Sequence, residues 1–191
     1  MKTTTLRKIE KCNPWPSTWK ELLQGLGKTV ADDESLPYSS ILEICGLRDT
    51  IWTTRTEEDY RWVKELAMTY ARHVKHLMDP DSVATLDVAD RYLAGRASRK
   101  EMETAIDTVT PKACSTAYVA FYAIYASSAE AVAGPCAEVA PCAAAYAANA
   151  AFNTIAPLSA PLIPSARSCA AAKARTAEVE WQKQEFLRVV G

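Results

Sequence analysis

The chain has 191 residues, enough to bury a sizeable core as one domain or two closely packed halves without a disulfide or metal staple. Its 22 basic and 23 acidic residues leave a net charge of −1, which excludes a global field that draws it to nucleic acid or anionic lipid. The six cysteines, Cys12, Cys45, Cys114, Cys136, Cys142 and Cys169, form no C-x-x-C pair, so they read as free thiols rather than as a zinc ribbon or thioredoxin-like site.

Met1 to Cys12 carries Lys2, Arg7, Lys8 and Lys11 with no apolar run behind them, unlike a signal peptide, and a cytoplasmic location is expected. Pro16 and Ser17 lead into Trp19, Leu22, Leu23 and Leu26, a helical spacing closed by Gly27. A polar loop with Asp32, Asp33 and Glu34 follows. Pro37 opens a short helix through Ile41, Leu42 and Cys45, with Gly46 as its left-handed stop, and a further turn runs from Leu47 to Arg55.

The next helix is expected over about 57–78, with Thr56 as N-cap and Asp59 in the capping-box position. Its apolar stripe is Tyr60, Val63, Ala67, Tyr70, Val74 and Leu77. Asp79-Pro80 supplies a cap and a first-turn proline for a helix whose Val83, Leu86, Ala89 and Leu93 face inward and which Gly95 ends. Ser98 with Glu101 forms a capping box for a helix that stops near Thr110-Pro111.

From Ala113 to Ala166 the only charged residues are Glu130 and Glu138, and alanine, the best helix former, dominates. Proline interrupts this half, which reads as pieces over about 111–133, 136–156 and 164–190, the last anchored by Trp181, Phe186 and Leu187. The fold expected is therefore all-α. An amphipathic half, 1–110, forms a bundle of short helices and packs as one unit with an alanine-rich, proline-interrupted half, 111–191. Residues 139–166 are long enough to span a bilayer, but their prolines and weakly apolar alanines favour close helix packing over a membrane span.

Several motifs invite a chemical reading. Gly27-Lys28-Thr29 ends like a P-loop, but the earlier glycine that motif needs is Leu22, and a helix precedes it where a strand is required. His73 and His76, the only two histidines, could share a metal with Asp79; two histidines alone do not make a zinc site, and no metal or cofactor is expected. No G-x-S-x-G elbow exists, and nothing points to an enzyme. The acidic run Asp32-Asp33-Glu34, and Asp79, Asp81, Asp87 and Asp90, read either as helix-terminal and solvated charge or as surfaces for a basic partner. Trp52 and Arg55, one turn apart, read either as a stacked core pair or as part of a binding surface.

Leu26-Gly27-Lys28-Thr29, Asp32-Asp33, Leu36-Pro37, Ile41-Leu42-Glu43, Gly46-Leu47, Asp49, Trp52 and Arg55 form an ordered pattern over about thirty positions. It resembles the N-terminal motif of the immunity-five-like immunity proteins of bacterial and phage genomes. Tyr70-Ala71-Arg72-His73-Val74, His76-Leu77 and the run from Ala84 to Arg91 are similar to that family's second block, and the tail with Trp181-Gln182 is similar in composition. The matches are specific in 26–93 and only compositional after 112, and Thr50, Thr53 and Thr54 stand where more apolar residues are expected.

The resemblance implies an all-α protein that neutralises a protein toxin or effector by binding it. Asp32, Asp33, Glu34, Asp49, Trp52, Arg55 and His73 are the candidate contact residues. Two alternatives stay open: a phage-encoded anti-defence protein, such as an anti-CRISPR inhibitor of a host-defence effector, and a small-molecule sponge or enzyme in which Lys28, Asp49, Arg55 and His73 converge between the early helices. A membrane-acting phage protein using the alanine-rich half is a more distant reading.

Overall fold

The computed structural model describes residues 1–108, 119, 122 and 164–191, with side chains in the last helix from 169 onward. The helices expected over 111–133 and 136–156, and the stop near Thr110-Pro111, lie outside the described residues. Seven α-helices and one pair of two-residue strands are described, so the all-α expectation holds. No helix among the described residues is long and apolar enough to cross a membrane.

Strand β1 (Thr3–Thr4) pairs antiparallel with β2 (Leu36–Pro37), Thr3 opposite Pro37 and Thr4 opposite Leu36. Between them runs α1 (Leu6–Lys11), a helix that the sequence reading missed. Thr5 caps it by accepting the Lys8 N–H at 3.1 Å, and Leu6 and Ile9, one turn apart, are both buried. Helix α2 (Pro16–Gly25) ends as expected: Gly27 has φ +65°, and the Lys28 and Gly27 N–H groups return to the carbonyls of Leu23 and Gln24.

Helix α3 (Tyr38–Thr53) is broken at Gly46, whose φ of 75° is the left-handed stop that the sequence predicts. Its second half continues into a 3-10 turn, Thr54–Thr56. Thr50, Thr53 and Thr54 are buried there, and each hydroxyl donates to a carbonyl of the preceding turn, those of Gly46, Thr50 and Ile51. With their polar atoms satisfied locally, the threonines pack as methyl-bearing residues in positions where apolar ones were expected.

Helix α4 is Arg61–His73, shorter at both ends than the expected 57–78. Thr56 does not cap it: its hydroxyl is drawn into contacts with Thr4, Tyr38 and the Thr53 carbonyl. Asp59 caps nothing three residues ahead of itself; it accepts from the Arg61 N–H and guanidinium, which hold its carboxyl down at about 2. A 3-10 turn, Lys75–Leu77, follows the helix. Helix α5 (Pro80–Leu93) starts on Asp79, whose side chain accepts from the Asp81 and Ser82 N–H groups, and ends at Gly95 with φ +68°. Its buried face is Ser82, Thr85, Leu86 and Ala89, so Val83 and Leu93 are only half-buried. The Ser98–Glu101 capping box forms at the start of α6 (Arg99–Thr108).

Helix α7 (Pro164–Val190) lies against α3 and α4. Ala171, Glu178, Gln182, Phe186 and Val190 are buried and fall on one stripe at near four-residue spacing. Phe186 is in the core as expected, edge-on to Tyr38 and tilted against Trp62, each at a centroid distance of 6.3 Å, whereas Leu187 is 40% exposed. The Lys2 N–H donates to the Val190 carbonyl at 2.6 Å, so the first strand, the start of α3 and the last turn of α7 meet at one end.

Candidate functional site

Three of the seven candidate contact residues come together on one face. After α1, Asn13 turns the chain with φ 57°, and Pro14-Trp15-Pro16 places Trp15 at the N-cap of α2 with 67% of its surface exposed. Trp19 follows one turn on, half-buried. The second half of α3 presents Asp49 and Trp52 beside them, and the 3-10 turn that follows adds Arg55 at the same one-turn spacing. The Arg55 guanidinium carbon sits 5.1 Å from the Trp52 ring centre, a cation–π contact. Asp49 accepts from the Thr18 hydroxyl at 2.9 Å and from Arg48 Nε at 3.1 Å, which ties α2 to α3 at this face.

The cleft among Trp15, Trp19, Leu22, Cys45, Asp49 and Trp52 holds only about 10 Å³, room for one water at most. It is thus a closed aromatic surface and not a ligand cavity. Cys45 lines it, and Cys12 feels the charge of Arg55. Burial pushes the Cys12 thiol up, against the pull of Arg55, and burial together with the charges of Glu21 and Asp49 pushes Cys45 up to about 11. Both stay protonated at neutral pH and are poor nucleophiles.

Asp32, Asp33 and Glu34 lie elsewhere, in a loop that carries its own counter-charge. Lys28 Nζ is 2.5 Å from Asp32 Oδ2 and 2.6 Å from Glu34 Oε2, and Arg7 Nε is 3.8 Å from Asp33. These contacts raise Lys28 and lower the Asp32 carboxyl. Arg7 also fastens the loop through the Ala31 carbonyl at 3.0 Å.

His73 meets a third set of groups. Its Nε2 is 3.1 Å from Glu178 Oε2 on α7, and its ring lies flat on Trp181, with centroids 3.6 Å apart and planes 11° from parallel. Glu178 is buried, its other oxygen accepting from Gln182 Nε2 at 2.8 Å, and burial pushes its carboxyl above the usual range. The Tyr70 hydroxyl donates to the Gln182 carbonyl at 3.0 Å. His76 turns back to the His73 carbonyl, and Asp79 is occupied as the α5 cap, so the His73–His76–Asp79 metal arrangement is not assembled. Among the described residues no three ligands gather to hold a metal.

No family model, curated protein or solved structure matches this chain. Function is therefore argued from geometry. Lys28, Asp49, Arg55 and His73 do not converge: their partners are, in turn, Asp32 and Glu34, Thr18 and Arg48, Trp52, and Glu178 with Trp181. A larger groove, about 430 Å³, runs between α5 and α6 over Ala84, Val88 and Ala105. Its rim group Glu101 is already bonded by Ser98 and Arg91; Asp81 lines it, and none of the seven candidate contact residues does.

Sequence reasoning missed Trp15, Trp19, Glu178 and Gln182. Trp15 carried a legible signal, because a tryptophan held between two prolines just ahead of a helix cannot turn into that helix's apolar stripe. The pairing of Glu178 with His73 carried none.

Proposed function

We propose that this protein is a non-catalytic binding protein that neutralises a protein toxin or effector by direct contact, in the manner of an immunity-type inhibitor. The observation that supports the reading best is the face built by Trp15, Trp19 and the stacked Trp52–Arg55 pair. Tryptophan and arginine dominate the energetics of protein interfaces, and an exposed tryptophan on a rigid helix start offers apolar surface for a partner to cover. The cleft beside it is too small for a metabolite, which favours a macromolecular partner. The likeness of residues 26–93 to immunity-five-like proteins points the same way and includes Asp49, Trp52 and Arg55 in its pattern.

Capture from lysates of toxin-bearing and defence-bearing bacteria, at low salt, tests the reading with the full chain and its Trp15→Ala variant. Trp15 is exposed, so the variant should keep its Tm while losing about 2 kcal/mol of partner affinity, roughly thirtyfold. Rescue of toxin-expressing cells marks an immunity protein; restored phage plating on defended cells marks the anti-defence alternative. A chain that captures nothing and protects neither host sinks the proposal.

A further inference from the structure

The middle of α7 is fastened to α4 by groups whose charge depends on pH. Glu178 is 5% exposed, and a buried carboxylate is costly unless its charge is met. One oxygen takes the Gln182 amide at 2.8 Å, and the other faces His73 Nε2 at 3.1 Å. Stacked on Trp181, His73 packs in either charge state but supplies a positive charge only when protonated. Among the described residues, the titratable groups acting on Glu178 are His73 at the end of α4, His76 in the turn after it and the Tyr70 phenol; no lysine or arginine is among them.

We propose that the His73–Glu178 pair is a proton-operated latch that fastens the middle of α7 to α4 more tightly as the pH falls. With a neutral imidazole beside it, Glu178 keeps a buried charge with hydrogen bonds but no counter-charge. With a protonated imidazole beside it the pair is ionic. Burial acts in the same direction on Glu178: a group raised in the folded state contributes stability that is present at low pH and lost as pH rises through its folded value. One proton taken up by the pair, on either partner, relieves the uncompensated buried charge and favours the docked helix.

The last turns of α7 are held independently. Phe186 packs edge-on to Tyr38, and the Val190 carbonyl takes the Lys2 N–H. Opening of the latch loosens the helix over 171–181 and leaves the end anchored.

Hydrogen exchange of the full chain at pH 5.5 and pH 8.0, corrected for intrinsic exchange rates, tests this. Amides of 171–182 should lose about tenfold in protection at pH 8.0, while those of 184–190 change less than threefold. Equal protection of 171–182 at both pH values overturns the proposal, as does an equal change along the whole helix. Glu178→Gln keeps the size of the side chain and removes its charge, and should abolish the difference. If that variant does not fold, His73→Gln serves as the second arm with the same expectation; persistence of the tenfold difference in either variant overturns the latch. His76→Asn should retain most of the effect, and its loss there would assign the switch to the wrong histidine.

Discussion

Replacing Gly25 with alanine tests the contact that sets the spacing of α2 and α3, and with it the geometry of the tryptophan face. A Cβ at Gly25 would lie 2.6 Å from Ile44 Cγ2, 2.9 Å from Cγ1 and 3.0 Å from Cδ1, against an ordinary carbon contact of about 3.5–4.0 Å. Three atoms of one β-branched side chain are too close, and isoleucine is stiff at χ1 in a helix, so turning its tip does not relieve the overlap. Overpacking of this kind costs about 1–3 kcal/mol. Alanine for glycine within a helix gives back up to about 1 kcal/mol. The net expectation is a loss of about 1 kcal/mol, read by urea unfolding, or a fall in Tm of about 2–4 °C. In an Ile44→Ala background the obstruction is gone, and the same Gly25 change should stabilise by up to about 1 kcal/mol, a coupling that a double-mutant cycle measures. Stabilisation in the wild-type background, or the same effect in both, would refute the close-contact reasoning. Because Trp15 and Trp19 ride on α2 and Trp52 on α3, the variant should also weaken partner capture.

Two further outcomes follow from local chemistry. Asp79→Ala removes the acceptor for the Asp81 and Ser82 N–H groups and the Ser82 hydroxyl, and should cost about 1–2 kcal/mol by calorimetry; a change below about 0.3 kcal/mol would show that the cap contributes little. Cys45, raised to about 11, carries on the order of a hundredfold less thiolate at pH 8 than an ordinary thiol, so iodoacetamide should label it far more slowly than the exposed Cys169 in peptide-resolved mass spectra, and equal rates would contradict its burial.

What could be read in the sequence is what the chain decides within four residues. The Asp79 cap, the Ser98–Glu101 box and the stops at Gly27, Gly46 and Gly95 are settled by a side chain or a φ angle at that position. The start of α4 was misplaced because Thr56 had a better offer from Thr4 and Tyr38, 52 and 18 residues away. Helix α1 was overlooked although Thr5 with Leu6 and Ile9 is a local signal, short and masked by the basic residues around it. The acidic loop was read without Lys28, four residues before Asp32, although that spacing suits an ion pair. His73 was singled out as a candidate contact residue without its partner, because Glu178 lies 105 positions downstream on α7 and only topology joins them.

The two regions singled out rest on different supports, which keeps their tests separate. The tryptophan face depends on α2 against α3, through the Gly25–Ile44 approach and the Thr18–Asp49 hydrogen bond. The latch depends on α4 against α7, through Glu178, Trp181 and the Tyr70 hydroxyl. Among the hydrogen bonds and ring contacts described at each, no side chain serves both, and perturbations without shared partners combine additively within about half a kcal/mol. Loss of partner affinity in Trp15→Ala therefore reports on the face and not on the latch. Loosening of 171–182 at high pH reports on α7 docking whether or not the face binds a toxin. If partner capture itself strengthens as pH falls, the two regions are coupled through α3 and α4, which both touch α7, and additivity is the assumption that fails.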